Sequence, residues 1–280
     1  MKSLTIATTW GTKYWPNPVQ PCIESTIKNW PDHAKILLYP DDMSQQINSD
    51  RCYHFDLCKE QPRLQDFIDR HKNNSKFNPR IKQTTKEQKD FDKNTQIYIY
   101  DCVRFSYKVF ACIDAYQKTN PDMLWYLDAD LLTFEKIPMS WLEHIIPDTA
   151  FTSYLGRPKK GFSETGYYAF NTAHKYAMEF FERWQTYYDK DRFLELKGYT
   201  DSFTFDGARL ELEKEGKIKN EDLNDGRWSG ERKSRHPFIN SELGQYMDHM
   251  KGYDRKARMS SKKRDLTTKQ THPYWKTLKD

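Results

Sequence analysis

The 280-residue chain is 30% charged and 15% aromatic, a mixture that argues against a disordered protein, because disordered chains lack the aromatics that fill a core. Its 45 basic and 40 acidic residues leave a formal charge of +5, too modest an excess to predict nucleic-acid binding. No run reaches the ~18 apolar residues of a membrane span, and MKSLTIATTWGTKYW lacks the pattern of a signal peptide.

Ser3 to Thr9 is a short β-rich run, and Gly11 to Pro18 is rich in turn formers, which together predict a strand entering a loop. Ile23, Ile27 and Trp30 fall at i, i+4 and i+7 in the next segment, and Pro31 closes this predicted helix. AKILLYPDD follows as a buried strand, so a βαβ unit with parallel strands is expected at the start. Residues 44–95 are polar and show no sustained periodicity, and they are expected to form an insertion or lid. The five cysteines, at positions 22, 52, 58, 102 and 112, are odd in number and form no CxxC pair, which predicts reduced thiols in a cytoplasmic protein.

Val103, Tyr107, Phe110 and Ile113 mark the core side of a helix that stops before Pro121, and Arg104 and Lys108 share one face of it. Met123 to Leu127 is apolar throughout and is expected at the centre of the sheet. PMSWLEHII reads as a helix and TAFTSYL as a strand; the loop GRPKKGFSETG then leads into YYAFN, and a long helix spans Tyr176 to Tyr188. From Lys251 to Lys276 cations outnumber anions, so residues 256–280 are expected to form a basic tail suited to a phosphate, a polyanion or an anionic surface.

WYLDADLLTF places Asp128 and Asp130 at the exit of the central strand. Side chains at i and i+2 of a strand point to one side, so both carboxylates can face one ion while Ala129 packs away. Two hard oxygen ligands suit Mg²⁺ or Mn²⁺, and an ion held by so few carboxylates completes its shell with water and substrate phosphates. Ligands of open α/β sheets bind beyond the carboxyl ends of the strands, where this pair lies. Burying carboxylates beside such a strand without a cation would be costly.

WYLDADLLTF resembles the DxD element of metal-dependent glycosyltransferases of the GT-A fold. LTIATTWGTKYW, with Thr8 and Trp10, is similar to that family's first strand and nucleotide-binding loop. RFSYK, with Arg104 and Lys108, resembles the helix that supplies basic contacts near the donor, and ETGYYAFN resembles the segment lining the sugar and acceptor site. The resemblance covers about residues 1–255, leaving the insertion after Asp42 and the basic tail uncovered. It implies one α/β domain, a GT-A-like (Rossmann-like) mixed sheet flanked by helices, with a C-terminal extension that helps close the donor site. The implied reaction moves a sugar from a nucleotide-sugar, expected to be a UDP-sugar, to a glycan, lipid-linked or protein acceptor. Asp130 is then expected to bind the metal directly and Asp128 to contact the ribose, or the metal through water.

A later histidine is the implied third ligand, with His249 in MDHMKG placed ahead of His236 in HPFIN because Lys251 and Arg255 nearby could hold the diphosphate. The bland alternative is a helix from Ser241 to Gly252, with His249 and Lys251 complementing its negative end. Cleavage of the donor leaves negative charge on phosphate oxygens, which a metal with Lys or Arg stabilises. An inverting enzyme also needs a carboxylate base for the acceptor hydroxyl, for which Glu164 and Asp201 are candidates; a retaining enzyme does not. Trp10, Tyr14 and Trp15 either stack on a base or sugar or fill the core. A haloacid-dehalogenase-like phosphatase also carries a DxD after an apolar strand, but that strand normally opens its domain, and Leu132 stands where Thr or Val is expected. A noncatalytic nucleotide- or carbohydrate-binding module is the remaining rival.

Overall fold

The computed structural model describes residues 1–82 and 97–279. Its strands are β1 (Leu4–Trp10), β2 (Lys35–Pro40), β3 (Cys52–His54), β4 (Met123–Leu127), β5 (Leu131–Thr133), β6 (Thr152–Leu155), β7 (Glu164–Asn171), β8 (Asn220–Asp222) and β9 (Met247–His249). Seven of them form a mixed sheet in the order β3-β2-β1-β4-β7-β6-β8, while β5 and β9 pair as a separate antiparallel ribbon. β1 runs parallel to β2 and β4, β2 to β3, and β6 to β8; β7 is antiparallel to both β4 and β6. The chain thus moves outward from β1 to β3 and returns to the other side of β1 with β4. Such a reversal opens a crevice at the carboxyl ends of the two strands.

Helices cover both faces of the sheet, which is why β4 is apolar at every position. Leu124 and Tyr126 enter one core layer, and Met123, Trp125 and Leu127 enter the other. The helix Val19–Asn29 buries Val19, Cys22, Ile23 and Thr26 and completes the expected parallel βαβ unit. On the opposite face the helix Cys102–Thr119 buries Val103, Phe110 and Ile113. The Asp101 side chain caps its start, and Asn120, left-handed at φ 37°, ends it one residue before Pro121. The helices Ala177–Asp189 and Asp201–Lys214 pack in the same layer.

The stretch expected to be an insertion or lid departs from that expectation over its described part. β3 pairs with β2, and Leu57, Leu64, Phe67 and Phe77 are buried in the core. Leu64, Phe67 and His71 are the buried residues of the helix Pro62–His71, one stripe of an otherwise charged segment, and the average polarity concealed it. Residues 83–95 of that stretch lie outside the described residues.

The basic tail is likewise anchored. Trp275 and Leu278 are 5% and 8% exposed, and Trp275 Nε1 donates to Gly244 O at 2.7 Å. Tyr274 stacks on Phe134 at 4.2 Å, and its hydroxyl donates to Asp248 Oδ2 at 2.7 Å. Two apolar anchors and one buried hydrogen bond hold the segment, while Lys263, Lys269, Lys276 and Lys279 remain exposed. Among the described residues no helix is long and apolar enough to cross a membrane, and all five cysteines are free thiols.

Candidate active site

β4 ends at Leu127 and the chain turns at once, with Leu131 N–H donating to Asp128 O at 3.0 Å before β5 begins. Asp128 and Asp130 therefore sit in a turn, not along a strand as expected, and strand alternation does not aim them. Neighbouring backbone does. Asp128 N–H donates to Gly166 O at 2.9 Å on β7, and Met250 N–H donates to Asp130 O at 3.0 Å after β9. The β5–β9 ladder sets Leu131 opposite His249. His249 Nε2 consequently lies 3.5 Å from Asp128 Oδ2 and 3.4 Å from Asp130 Oδ1, and the three possible ligand atoms all fall within 4.8 Å of one another. The alternative of a helix from Ser241 to Gly252 fails, because only a short turn at Glu242–Gln245 precedes β9.

The charges in this corner are strongly coupled. Burial disfavours the charged His249 ring, yet Asp130 and the approach of Asp128 and Glu164 outweigh burial and push the imidazole up to about 10. Burial acts in the opposite sense on Asp130, but His249 and Lys256 hold its carboxyl far below the usual range. Lys256 Nζ lies 2.7 Å from Asp130 Oδ2. Lys108 Nζ lies 2.9 Å from both Asp128 Oδ1 and Asp201 Oδ2, and it donates to Thr165 O at 2.5 Å. Two carboxylates and an imidazole within mutual reach, in a corner that draws cations, form a donor set that fits Mn²⁺ or Mg²⁺. A divalent ion would displace the His249 proton.

A cleft of ≈ 520 Å³ opens beside this group, at the carboxyl ends of β1 and β4. Its lining combines Thr9, Trp10 and Tyr14 with the cations Arg80, Arg104, Lys108 and Lys256 and the carboxylates Asp128 and Asp130. The Tyr14 ring has Lys13 Nζ at 4.8 Å and Lys256 Nζ at 4.5 Å from its centre. Arg104 is exposed and lies over the Phe105 ring at 5.1 Å, whereas Arg80 Nε is 2.8 Å from Asp101 Oδ2.

Of the residues singled out in the sequence, Asp128, Asp130 and His249 come together, and Trp10, Arg104 and Lys108 line the adjoining cleft. Trp10 is also a core residue, donating from Nε1 to Gln45 Oε1 at 2.7 Å and stacking on Trp15 at 6.0 Å. Thr8 faces away from the large cleft, among Cys22, Ile23 and Thr26, while Thr9 reaches the cleft and pairs with the Tyr126 hydroxyl at 2.8 Å. One step along a strand reverses the face. Arg255 is turned away as well: its Nη2 and Nε donate to the two oxygens of Asp265 at 2.5 and 2.6 Å, and the next residue, Lys256, enters the cleft. Lys251 is spent on Glu164 rather than lining the cleft.

The two candidate bases are buried in ion pairs. Asp201 is 1% exposed, bound to Lys108, and accepts from the Tyr168 hydroxyl at 2.6 Å. Glu164 is 3% exposed, with Arg157 Nη2 at 3.2 Å and Lys251 on the same oxygen. Burial would raise the Glu164 carboxyl, but Lys251, Arg157 and His249 hold it well below the usual range, which makes it a poor proton acceptor. Neither carboxylate lines the cleft. His236 packs against His249 at 6.1 Å; burial, with Lys251 and His249, pushes it down to about 3, and it stays outside the ligand group. Arg80 and Lys256, outside the residues singled out in the sequence, also line the cleft: the first lies in the stretch expected to be a lid, and the second directly follows Arg255.

No protein-family model matches the sequence, and no curated protein matches it. Among solved structures, mouse xyloside xylosyltransferase 1 in its apo form is 10% identical over 81% of this chain and 87% of that one, with a TM-score of 0.46. The apo form of the glycosyltransferase GlyE from Streptococcus pneumoniae TIGR4 is 13% identical over 80% of this chain, with a TM-score of 0.39. A further GlyE structure is 12% identical with the same TM-score, and in both cases this chain spans 46% of GlyE. Identities this low leave the chemistry to be argued from the residues themselves.

Proposed function

We propose that the protein is a glycosyltransferase that moves a sugar from a nucleotide-sugar, with a UDP-sugar the expected donor, to a hydroxyl of a glycan, lipid-linked or protein acceptor. One observation carries the reading: Asp128, Asp130 and His249 converge at the end of a cleft whose walls combine aromatic rings with lysines and arginines, at the point where the sheet reverses its strand order. Aromatic faces suit a base or sugar, and cations suit a diphosphate. Asp128, Asp130 and His249 would hold Mn²⁺ or Mg²⁺, which supplies Lewis-acid charge to the departing diphosphate.

The surrounding side chains have separable tasks in this reading. Tyr14 offers its ring to the base. Arg104, exposed on the first turn of its helix, and Lys256, beside Tyr14, stabilise charge on the phosphates. Lys108 is fully engaged by Asp128, Asp201 and Thr165 and serves to fix Asp128. Asp201 and Glu164 receive no base role, because both are committed to fixed cations away from the cleft. The phosphatase alternative is not favoured, since it needs one aspartate free to attack, and here both are turned toward His249.

Thermal stability measured with UDP, GDP and CDP, each with and without Mn²⁺, tests the proposal. A ligand at about 100 times its Kd stabilises the native state by about 2.7 kcal/mol, a readily seen shift. The expected result is a Mn²⁺-dependent shift with a nucleoside diphosphate, followed by slow hydrolysis of the corresponding nucleotide-sugar. The absence of a metal-dependent shift with every nucleotide would sink the reading, and a shift without turnover of any nucleotide-sugar would favour a binding module.

A further inference from the structure

β7 runs behind the Asp128–Asp130 turn, and two of its residues act on the same ring. The first is Glu164. Arg157 and Lys251 both bind its Oε2, which leaves Oε1 facing His249 Nδ1 at 3.5 Å. That nitrogen is buried and has no hydrogen-bond partner. The second is Gly166, whose carbonyl already supports Asp128 N–H at 2.9 Å. A Cβ built at Gly166 would collide with Cε1 and Nδ1 of the same imidazole. Gly166 does not adopt a positive φ, so packing against the ring, rather than backbone conformation, explains the glycine. Phe238 packs near the ring, with centroids 5.4 Å apart.

We propose that Glu164 and Gly166 are positioning residues for His249: Glu164 accepts a hydrogen bond from Nδ1–H, which keeps the proton on Nδ1 so that the Nε2 lone pair faces the Asp128–Asp130 corner, and Gly166 leaves the ring room to lie there. The inference rests on the metal reading above. Either imidazole nitrogen can carry the proton of the neutral ring, and only a partner on Nδ1 commits Nε2 to a ligand role. Partners of this kind, which fix the tautomer and orientation of a liganding histidine, typically change metal affinity about 10- to 100-fold when removed. The arrangement accounts for a buried carboxylate that does not line the cleft.

Calorimetric titration of Mn²⁺ into the full chain tests it with Glu164→Gln, Glu164→Leu and Gly166→Ala. Gln and Leu both delete the charge and leave Arg157 and Lys251 without it, but only Gln keeps an oxygen that can accept a hydrogen bond from Nδ1–H. The leucine and alanine variants are expected to bind Mn²⁺ about 10- to 100-fold more weakly, with the glutamine variant within about threefold of the parent. Equal losses in Gln and Leu would overturn the inference, because charge alone would then explain the effect; parental affinity in Leu or in Gly166→Ala would also overturn it. Should the leucine variant fail to fold, histidine ¹⁵N spectra of the parent protein titrated with Zn²⁺ decide. A protonated Nδ1 and a metal-shifted Nε2 support the proposal, and the reverse assignment refutes it. The same titration on Asp130→Ala separates the two readings: parental Mn²⁺ binding in that variant would remove the metal site itself.

Discussion

The candidate site joins two regions that are held together in different ways. The parallel half, β3-β2-β1-β4, is stabilised by helices on both faces and builds the walls of the cleft. The β5–β9 ribbon and the segment after it deliver His249 and Lys256, yet a two-stranded ribbon has little stability alone. Tyr274 and Trp275 tie that ribbon down from the chain's end. The contrast separates the scaffold from the proposed chemistry: the cleft is intrinsic to the sheet, whereas the proposed third ligand, His249, sits on a ribbon held by a docked tail.

Substitution of a ligand should produce the greatest change. Asp130→Ala and His249→Ala are each expected to abolish the Mn²⁺-dependent thermal shift and to lower nucleotide-sugar turnover by at least about 100-fold. Retention of both properties would refute the ligand assignment. Removing an anchor then distinguishes the two regions. Trp275→Ala and Phe67→Ala should each cost about 3–5 kcal/mol by denaturant unfolding, since both side chains are buried, but only the first should also weaken Mn²⁺ binding to the folded protein. Equal Mn²⁺ affinity in the two variants would show that the ribbon stands without the tail.

Metal affinity should also follow pH. His249 is pushed up to about 10 in the folded protein, against about 6.5 unfolded. Its contribution to stability without metal is therefore complete below about pH 6.5 and is lost as pH rises toward 10. Mn²⁺ must displace that proton, so its affinity should climb about tenfold per pH unit between about pH 6 and 9, with one proton released per ion in calorimetry. A pH-independent affinity would contradict a histidine ligand. The gentlest contrast lies between adjacent residues of one short helix: Lys256→Met should raise the KM for the donor about tenfold. Arg255→Met should leave KM unchanged and cost about 1 kcal/mol through its pair with Asp265.

Much of this architecture was legible in the residues. The apolar run Met123–Leu127, the helical spacing of Val103, Phe110 and Ile113, and the punctuation by Pro31 and Pro121 each report on a few neighbouring positions, and each appears in the structure where it was expected. The aspartate pair was legible too, although a turn and not strand alternation aims it. The stretch around Leu57, Leu64 and Phe67 was lost because a few apolar residues at helical spacing lie within a highly charged segment. Thr8 and Arg255, expected at the donor, do not line the cleft, whereas their neighbours Thr9 and Lys256 do; on a strand or a short helix one residue is enough to turn a side chain away.

The amino-acid order by itself marked β1, β2, β4, the helices Val19–Asn29, Cys102–Thr119 and Ala177–Asp189, and the aspartate pair at the exit of β4, because periodicity, capping and proline act within a few residues of chain. Folding decided which groups serve that turn. His249 reaches it through the pairing of β5 with β9, Lys256 through a docked tail, and Glu164 and Gly166 through β7 lying behind it. These contacts join residues far apart in the chain, and their geometry is set by sheet order and packing rather than by any local pattern.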